Sequence, residues 1–482
     1  MRITRRTTLA QISAASAVFA LPSSAIAQAE VFTPEMFGAV GDGISNDSLA
    51  FARLAAAVNQ AGGGTIRLRR VTYLVGGHSR ISENPHWSFA PLPLLELRDC
   101  SRPLAIEGGG AIIRCEGGHR YGTFDPIRNA PTKHAQPFYK AGQAATPYTY
   151  MILIENCRGA VSISDLELDG NHQKLRLGGP WGDTGWQIPA VGIFLRNNSG
   201  DEILRNVYTH HHAQDGLMID GLKDASSARR VVRRIENVQS EYNGRQGCSI
   251  VGGRGYRFTR CRFAHTGKAG LQSAPGAGVD IEAEGEKTNR DLRFEQCEFV
   301  DNIGVGFLAE AGDNADILCR DCRFIGTTSW SAWPNAPHMR FEDSTFIGAL
   351  IRIFGHSDPA RATQFLRCTF LDDPKQSPNG KVYTPGSPHG AIADLYFGTN
   401  AKFTHCVFEL THNGLLPWGW RTIYEDCKLS QKAPTVSYPK GEYRGYNTVV
   451  GAVDMYNTKV TGTLVLNGVV HRAPKLFGGE PW

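Results

Sequence analysis

One short phrase returns nine times between about residues 204 and 429 of this 482-residue chain. It is a large apolar residue, two polar residues, a Cys or Val, any residue, and another apolar residue. The copies are Leu204/Val207/Thr209, Ile235/Val238/Ser240, Phe258/Cys261/Phe263, Phe294/Cys297/Phe299, Cys319/Cys322/Phe324, Phe341/Ser344/Phe346, Phe365/Cys368/Phe370, Phe403/Cys406/Phe408 and Tyr424/Cys427/Leu429. Successive middle positions are separated by 31, 23, 36, 25, 22, 24, 38 and 21 residues. A base period in the low twenties with occasional insertions indicates a solenoid, in which each repeat packs against its neighbours.

The spacing inside the phrase favours strands over helices. Cys-x-Phe alternation has the period of two that a strand requires, and no copy contains an apolar run long enough for a helix. The change from three-residue to two-residue spacing indicates a bend between two short strands. The phrase therefore predicts one coil of a parallel β-helix.

The segment before the repeats resembles the opening of the pectate-lyase-like superfamily. The likeness lies in Phe37-Gly38-Ala39-Val40-Gly41-Asp42-Gly43, Asn46-Asp47, Gly62-Gly63-Gly64-Thr65 and Thr72-Tyr73. The resemblance implies a right-handed parallel β-helix of the kind shared by polygalacturonases, rhamnogalacturonan enzymes, epimerases and phage tailspikes. The Asn-Thr-Asp and Gly-His-Gly signatures of polygalacturonases and the Arg-x-Pro-x-x-Arg signature of pectate lyases do not occur. The resemblance thus implies a fold that hosts hydrolases, lyases, epimerases and binding proteins.

Residues 1–27 are expected to be a targeting signal. Arg5-Arg6 lies in a segment that resembles a twin-arginine motif, an apolar stretch follows, and Ala25-Ile26-Ala27 fits a signal-peptidase site. An ordinary secretory signal is the alternative. Without Arg2, Arg5 and Arg6 the formal charge falls from +5 to +2, which argues against general nucleic-acid binding. The later sequence contains no run of about twenty apolar residues, so no membrane span is predicted. We therefore expect a periplasmic or secreted protein.

Eleven cysteines in an exported chain would ordinarily suggest disulfides. Six of them, however, occupy the middle position of the phrase, where they are expected to stack inside the coil as small apolar residues. Twin-arginine export of protein folded in the cytoplasm agrees with free thiols. Cys319-x-x-Cys322 could hold a metal, but both positions point inward in the predicted register, so a structural role is favoured.

Residues 47–60 form the only convincing amphipathic helix, with Asp47 as N-cap and Leu49, Phe51, Leu54 and Val58 on its apolar face. Such a helix would cover the open end of the solenoid. No linker-like change of composition follows, so residues 28–482 are predicted to form one β-helix domain with loop insertions.

Most tryptophans lie in the insertions between coils. Indole rings on loops are suited to stacking on sugar faces, although they could equally pack the loops against the coil. The predicted substrate-binding residues are Trp181, Trp186, Trp330, Trp333, Trp418, Trp420 and Arg352.

Four consecutive coils align by a glycine that starts a strand. The aligned segments are Gly216–Asp220, Gly247–Val251, Gly278–Glu282 and Gly306–Glu310. Strand alternation sends the apolar residues inward and places four acids in an outward column, namely Asp220, Asp280, Glu282 and Glu310. Neighbouring carboxylates disfavour double ionisation, which yields the protonated and ionised pair that glycoside cleavage requires.

The expected separations favour an inverting mechanism. Asp280 and Glu282 are about 7 Å apart along a strand, and Asp220 and Glu282 about 10 Å apart across two coils. Inverting enzymes hold their carboxyl groups about 6.5–9.5 Å apart, and retaining enzymes about 5 Å. Glu282 and Glu310 on adjacent coils would permit retention. A solvated acidic face balanced by Arg196 and Arg352, or a calcium site, are the alternatives.

A second column contains groups suited to proton abstraction. Four residues after successive middle positions come His211, Tyr242, His265 and Asp301, with Arg245 and Lys268 close behind. A lyase or epimerase needs such a base and such cations. The segment from His212 to Gly216 loosely resembles part of the alginate epimerases. Polar residues that close a turn explain the column equally well. Three consecutive histidines on a strand cannot face one ion, so no metal is predicted at 210–212.

The sequence therefore predicts an exported β-helix enzyme that acts on a polysaccharide or oligosaccharide. A glycoside hydrolase with paired carboxylates is preferred. A lyase or uronate epimerase that uses His211, Tyr242, Arg245, His265 or Lys268 is the first alternative, and a glycan-binding solenoid without catalysis is the second.

Overall fold

A computed structural model describes residues 30–80, 87–125, 127–132, 144–179, 188–222, 231–385 and 390–479. The chain winds into stacked coils whose strands pair in parallel, so the predicted right-handed parallel β-helix is confirmed. The predicted signal at 1–27 lies outside the described residues. Within them, no helix has the length and apolarity to cross a membrane.

The described strands form three sheets, of 27, nine and five strands. The 27-stranded sheet consists of Val31–Phe32, Gly64–Arg67, Thr72–Val75, Leu104–Cys115, Val161–Asp169, Glu202–His210, Arg233–Glu241, Tyr256–Thr259, Arg262–Ala264, Leu292–Glu295, Glu298–Val300, Ile317–Arg320, Arg323–Ile325, Met339–Glu342, Thr345–Ile347, Gln364–Leu366, Thr369–Leu371, Lys402–Thr404, Val407–Leu410, Gly419–Glu425, Lys428–Gln431, Pro439–Arg444, Tyr446–Val450, Thr458–Val460, Thr463–Leu466, Val469–Arg472 and Lys475–Phe477. The nine-stranded sheet consists of Leu95–Arg98, Tyr150–Glu155, Val191–Arg196, Asp215–Asp220, Gln246–Arg254, Ala277–Ile281, Asn289–Arg290, Phe307–Ala309 and Ala332–Pro334. The five-stranded sheet consists of His78–Arg80, Trp87–Pro91, Arg120–Thr123, Ala144–Ala145 and Arg176–Gly178.

The side chains of the repeated phrase fill the interior of the coil. All the residues of the nine copies named above are at most 1% exposed. Their aromatic rings stack from one coil to the next, with Phe258 and Phe294 4.5 Å apart and Phe370 and Phe408 4.3 Å apart between ring centroids. Stacking at this distance follows from the spacing of about 4.8 Å between paired strands. One continuous core runs from Phe32 to Leu464.

The bend predicted inside the phrase is a single residue in the left-handed conformation. It lies directly before the middle position in each of the nine copies, with φ between 51° and 55°. These residues are Asn206, Asn237, Arg260, Gln296, Asp321, Asp343, Arg367, His405 and Asp426. A second left-handed residue ends the next short strand in several coils, including His211 with φ 54° and Tyr242 with φ 56°. In these coils two such turns bend the chain without long connections.

The cysteines at the middle positions fit the bend chemically as well as sterically. The thiol of Cys261 lies 3.2 Å from the carbonyl oxygen of Ile235 on the preceding coil, and that of Cys427 lies 3.3 Å from the carbonyl of Phe403. Sulfur is a weak donor, so it packs as an apolar group and still satisfies a buried oxygen. All eleven cysteines are buried and unpaired.

The capping helix spans Ser48–Ala61, as predicted. Phe51, Leu54 and Val58 are buried against the first coils, whereas Leu49 is 60% exposed and was wrongly placed on the apolar face. At 100° per residue Leu49 lies opposite Phe51. Asp47 is the N-cap by position, but its carboxylate accepts hydrogen bonds from the backbone of Val40 and Gly41 instead.

Two three-residue 3₁₀ turns and one four-residue 3₁₀ turn complete the described helical structure, at Pro34–Phe37, His172–Lys174 and Pro374–Gln376.

The unpaired thiols give a first prediction. Titration of the unfolded protein with a thiol reagent, without reductant, should find nearly all eleven cysteines free, because each is buried and unpaired in the fold. A shortfall of six or more thiols would contradict the interior stack.

The ring stack gives a second prediction. Phe294→Asp should lower the free energy of unfolding by several kcal/mol, roughly 3–5, because it buries an unpaired charge. Phe294→Leu keeps the site apolar and should cost less. Urea unfolding of both variants tests this, and equal midpoints for Phe294→Asp and the parent would refute the register.

Candidate active site

The outward face of the nine-stranded sheet carries the predicted acidic column. Leu217, Cys248, Val279 and Phe307 are register partners in that order, as the glycine alignment predicts. All four are fully buried. Because successive side chains of a strand point to opposite faces, Asp280 projects from the outer face of the sheet.

Asp280 opens into a cleft of about 360 Å³. Three acids and one cation line it, namely Asp280, Glu282, Glu310 and Arg245. Pro275 forms part of its wall. The structure thus brings three of the four predicted acids to one place.

Asp280 is nearly inaccessible, with 4% of its surface exposed. Gln246 Nε2 donates a hydrogen bond to its Oδ2 at 2.5 Å. Burial, followed by the charge of Glu282, raises the pKa of Asp280 to about 7. A substantial fraction of the molecules therefore carries a proton on this carboxyl group near neutral pH.

Arg245 and Asp215 lie beside Asp280 in one polar network. Arg245 Nη1 lies 3.2 Å from Asp215 Oδ2 and donates to Gln246 Oε1 at 3.5 Å. Burial raises the pKa of Asp215 to about 6, although Arg245 opposes the shift. Because Gln246 accepts from Arg245 through its oxygen, its amide nitrogen is turned toward Asp280.

Sequence reasoning missed Asp215 and Gln246 as members of this site. Both directly precede the glycine of the aligned segments, and they are register partners. This shared position next to the aligned glycines could have identified both residues from the sequence. Arg245 had been grouped with the histidine column, and the structure places it in the acidic cleft instead.

Glu282 and Glu310 differ from Asp280 in their access to solvent. Glu282 is half-buried and Glu310 is exposed. The backbone N–H of Glu282 still donates to the carbonyl of Ile250 on the preceding coil at 3.1 Å, so Glu282 remains tied to the sheet. Glu282 directly follows the strand Ala277–Ile281 that contains Asp280. Two residues of extended chain span about 7 Å, within the range of inverting glycosidases.

The register partner of Asp220 differs from the one that the sequence alignment predicted, which was Val251. A bulge after Ile219 shifts the register, so Asp220 pairs with Gly252. Its carboxylate forms an ion pair with Lys287. A Cβ atom at position 252 would lie 2.8 Å from Lys287 Cδ, so the glycine leaves room for the lysine to reach Asp220.

The outward row on the earlier coils is a row of ion pairs. Arg98 and Arg196 both pair with Glu155, and Arg196 is the register partner of Asp220. Ion pairing thus explains the charges at this end of the row. It agrees with the alternative hypothesis of an acidic face balanced by Arg196. It does not extend to Asp280, which no cation contacts directly among the described residues.

The second column forms a stack of rings along the edge of the coils. His211 and Tyr242 lie 5.2 Å apart and Tyr242 and His265 4.7 Å apart between nearly parallel rings. Asp301 accepts from His265 Nδ1 at 3.1 Å and lies 3.4 Å from Lys268 Nζ. Burial raises the pKa of Tyr242, so its phenolate forms less readily.

One predicted sugar-binding tryptophan lies close to the cleft. Trp333 is the register partner of Leu308, which is the partner of Asp280. It is therefore two coils, or about 10 Å, from Asp280 on the same face. Arg352 lies 5.2 Å above its ring, and its buried Nε1 has no hydrogen-bond partner among the described residues.

The other tryptophans are distributed along the molecule. Trp330 packs edge-on against Trp333 and Tyr383, at 6.3 and 5.4 Å. Trp418 stacks on the exposed Tyr396 at 5.3 Å. Trp181 and Trp186 lie outside the described residues, as does the side chain of Trp420.

Metal-binding side chains converge at one place in the described residues, away from the acidic cleft. Donor atoms of Asp169, His210 and His211 lie within 4.8 Å of one another. Calcium at the acidic column stays a prediction, and the guanidinium of Arg245 in that cleft disfavours it.

The parallel coils and the residues of the opening segment together decide the architecture. The chain has a right-handed parallel β-helix fold, the architecture that the resemblance of its opening segment implied. No family model matches the chain.

Among curated proteins, the chain is 36% identical over 429 residues to a capsule KN3-specific depolymerase of Klebsiella phage KN3-1. The match covers 77% of this chain and 47% of that protein. The chain therefore spans about half the length of the relative.

Solved structures with similar coils include the A-module of mannuronan C-5 epimerase AlgE4 from Azotobacter vinelandii, with 16% identity and a TM-score of 0.43 over 90% of this chain and 99% of that one. A fragment of bacteriophage Phi29 gene product 12 gives 13% identity and 0.48 over 92% and 73%. The tailspike gp49 of Acinetobacter baumannii bacteriophage Fri1 gives 13% and 0.42 over 88% and 63%.

The buried acid predicts a pH-dependent stability. The pKa of Asp280 is 3.8 in its ordinary state and about 7 in the fold, so the folded state holds the proton more tightly. The stabilisation is fully present below the ordinary pKa and is lost as the pH rises to about 7. The loss is about 1.4 kcal/mol per pH unit within that interval.

Asp280→Asn should remove this dependence and keep the hydrogen bond from Gln246. Melting temperatures of variant and parent should therefore be close at about pH 4 and diverge in favour of the variant at about pH 8. Identical pH profiles would mean that Asp280 is not protonated in the fold.

Proposed function

We propose that this chain is an enzyme that cleaves a polysaccharide in the cleft of Asp280 and Glu282, by hydrolysis of a glycosidic bond. The observation that carries the proposal is a buried carboxyl group with its pKa raised to about 7, in one cleft with the half-buried carboxylate of Glu282, which directly follows the same strand. Such a pair separates the roles of acid and base near neutral pH.

Asp280 is the group suited to protonate the leaving oxygen. Its proton is retained because the surroundings are poorly solvated, and Gln246 fixes the carboxyl group in one orientation. Glu282 is half-buried in the same cleft and suited to activate a water molecule from the opposite side of the sugar. Two residues of extended chain span about 7 Å, a spacing that leaves room for that water and favours inversion.

Arg245 has a positioning role in this proposal. It is 8% exposed and bound to Asp215, so it is held in place. Its guanidinium places a fixed positive charge in the cleft, which limits the rise in the pKa of Asp280 and holds the Gln246 amide.

Two further features support a polymeric sugar as substrate. Trp333 lies on the same face two coils away, where its partly exposed ring can contact a sugar unit. The Klebsiella phage relative is named as a capsule-specific depolymerase, which supports a bacterial capsular polysaccharide as the class to test first. Export through the predicted signal would bring the protein to such a substrate.

The activity test uses two conservative variants. Asp280→Asn and Glu282→Gln should each lower the rate by about 10²–10⁴-fold, because each removes a general acid or base. Release of new reducing ends from a panel of neutral and acidic capsular polysaccharides measures the rate. Glu409→Gln, an exposed acid on strand Val407–Leu410, is the matched control and should retain the parent rate.

The outcomes separate the three classes of function. Wild-type rates in both variants would refute the carboxylate site. Products that absorb in the ultraviolet, from the conjugated double bond that elimination leaves, would favour a lyase with His211, Tyr242, His265 and Lys268. Saturable binding without either product would favour a glycan-binding solenoid.

A further inference from the structure

A cluster of metal-binding groups lies at the turn that follows strand Glu202–His210. Asp169 and His210 are register partners on adjacent coils. His210 Nδ1 lies 2.6 Å from His211 Nδ1 and 3.7 Å from Asp169 Oδ1. The three donor atoms thus surround one point at the edge of the coil.

The turn explains why two consecutive histidines face each other. His211 has φ 54°, so it leaves the strand and breaks the alternation of side chains. His212 then points inward, where its Nδ1 lies 2.8 Å from the hydroxyl of Tyr148. The three consecutive histidines cannot all face one ion, because His212 points inward, but His210 and His211 can.

Neighbouring groups hold the donors in position. Glu167 Oε1 lies 3.4 Å from His210 Nε2, so the carboxylate can accept the Nε2 proton and leave Nδ1 as the free ligand atom. Arg114 Nε donates to Asp169 Oδ2 at 2.7 Å, and the backbone N–H of Asn171 donates to Oδ1 at 2.8 Å. These bonds fix the carboxylate, and Oδ1 keeps a second lone pair for the cluster. Carboxylate support of a histidine on its far nitrogen is the usual surrounding of a protein metal site.

Two more rings fix the imidazoles. The ring of His210 stacks on that of Tyr208 at 4.1 Å, and the ring of His211 stacks on that of Tyr242 at 5.2 Å. His172, 2% exposed, lies 5.5 Å from His211 between ring centroids, and its Nδ1 has no hydrogen-bond partner among the described residues.

We propose that Asp169, His210 and His211 bind one Zn²⁺ ion. Two imidazole nitrogens and one carboxylate oxygen are zinc ligands, and three protein ligands leave a position for water. Zinc bonds of about 2.0–2.1 Å place two ligand nitrogens about 3.3 Å apart, so a small rotation of either ring accommodates the ion. In the metal-free state His211 Nδ1 can donate to His210 Nδ1, and on binding that proton would move to Nε2 of the His211 ring, which frees both Nδ1 atoms for the ion.

This site is independent of the acidic cleft, because none of its residues lines that cleft. Its imidazole donors also distinguish it from a calcium site, which would use oxygen ligands.

The test measures zinc binding by the full-length mature protein after removal of metal with a chelator. Titration with Zn²⁺ against a chromogenic zinc indicator should show one ion per chain and a rise in melting temperature. His210→Ala and His211→Ala should each weaken binding at least about tenfold, and Glu167→Gln by about 10–100-fold. Calcium should give neither effect.

His405→Ala is the matched control. His405 is exposed and has φ 52° at the bend of a later coil, so it tests a histidine of the same backbone conformation and should leave zinc binding unchanged. The metal-free melting temperature of each variant shows whether it is folded. If one histidine variant fails to fold, the other carries the test.

Failure of the parent to bind zinc at equimolar concentration would overturn the proposal. Unchanged affinity in both folded histidine variants would also overturn it and assign the zinc to other groups, such as thiols. Loss of activity in the Asp280 variant with intact zinc binding would leave this proposal standing, so the two proposals fail separately.

Discussion

The register between coils is the constraint on which the rest of the structure depends. Rings such as Phe258 and Phe294 stack at 4.5 Å inside the coil, and the three inward residues of each copy of the repeated phrase are buried. A slip of one residue would turn each inward side chain outward. It would also turn Asp280 into the core and Val279 into the cleft. Core packing therefore determines which carboxyl groups meet outside.

The rigid packing of the coils also allows the fold to keep the carboxyl group of Asp280 in a poorly solvated position. Asp280 has an unfavourable environment when ionised, and the sheet beneath it cannot move to relieve that. Arg245 and Asp215 form a buried ion pair beside it, in which Arg245 lowers the pKa of Asp280 and Asp215 raises it, so the cost of ionising Asp280 is not removed. Such a local loss of stability is common where a site needs an unusual protonation state.

The fold could be predicted from the sequence because its signal is repeated. Nine copies of one phrase specify the inward positions, and four glycines align the strands of the sheet that bears Asp280. The site could be predicted only in part. The bulge that moves Asp220 to Lys287 leaves the apolar pattern unchanged, so nothing in the sequence marks it. Arg245 follows the ring column in sequence but directly precedes the strand Gln246–Arg254, which positions it in the acidic cleft.

The histidine pair was missed for a related reason. Alternation of side chains was applied across His210 and His211, where the strand has already ended. Local backbone conformation thus explains both the misplaced Asp220 and the histidine pair of the proposed zinc site.

The unpaired interior thiols mean that the fold does not require an oxidising compartment. Its cysteines are buried, unpaired and, at the middle positions, directed at main-chain carbonyl groups. The covalent structure of the fold is therefore the same in a reducing compartment and in an oxidising one. Oxidants would reach these sulfur atoms only when a coil opens, so neither folding nor stability in an oxidising compartment depends on disulfide formation.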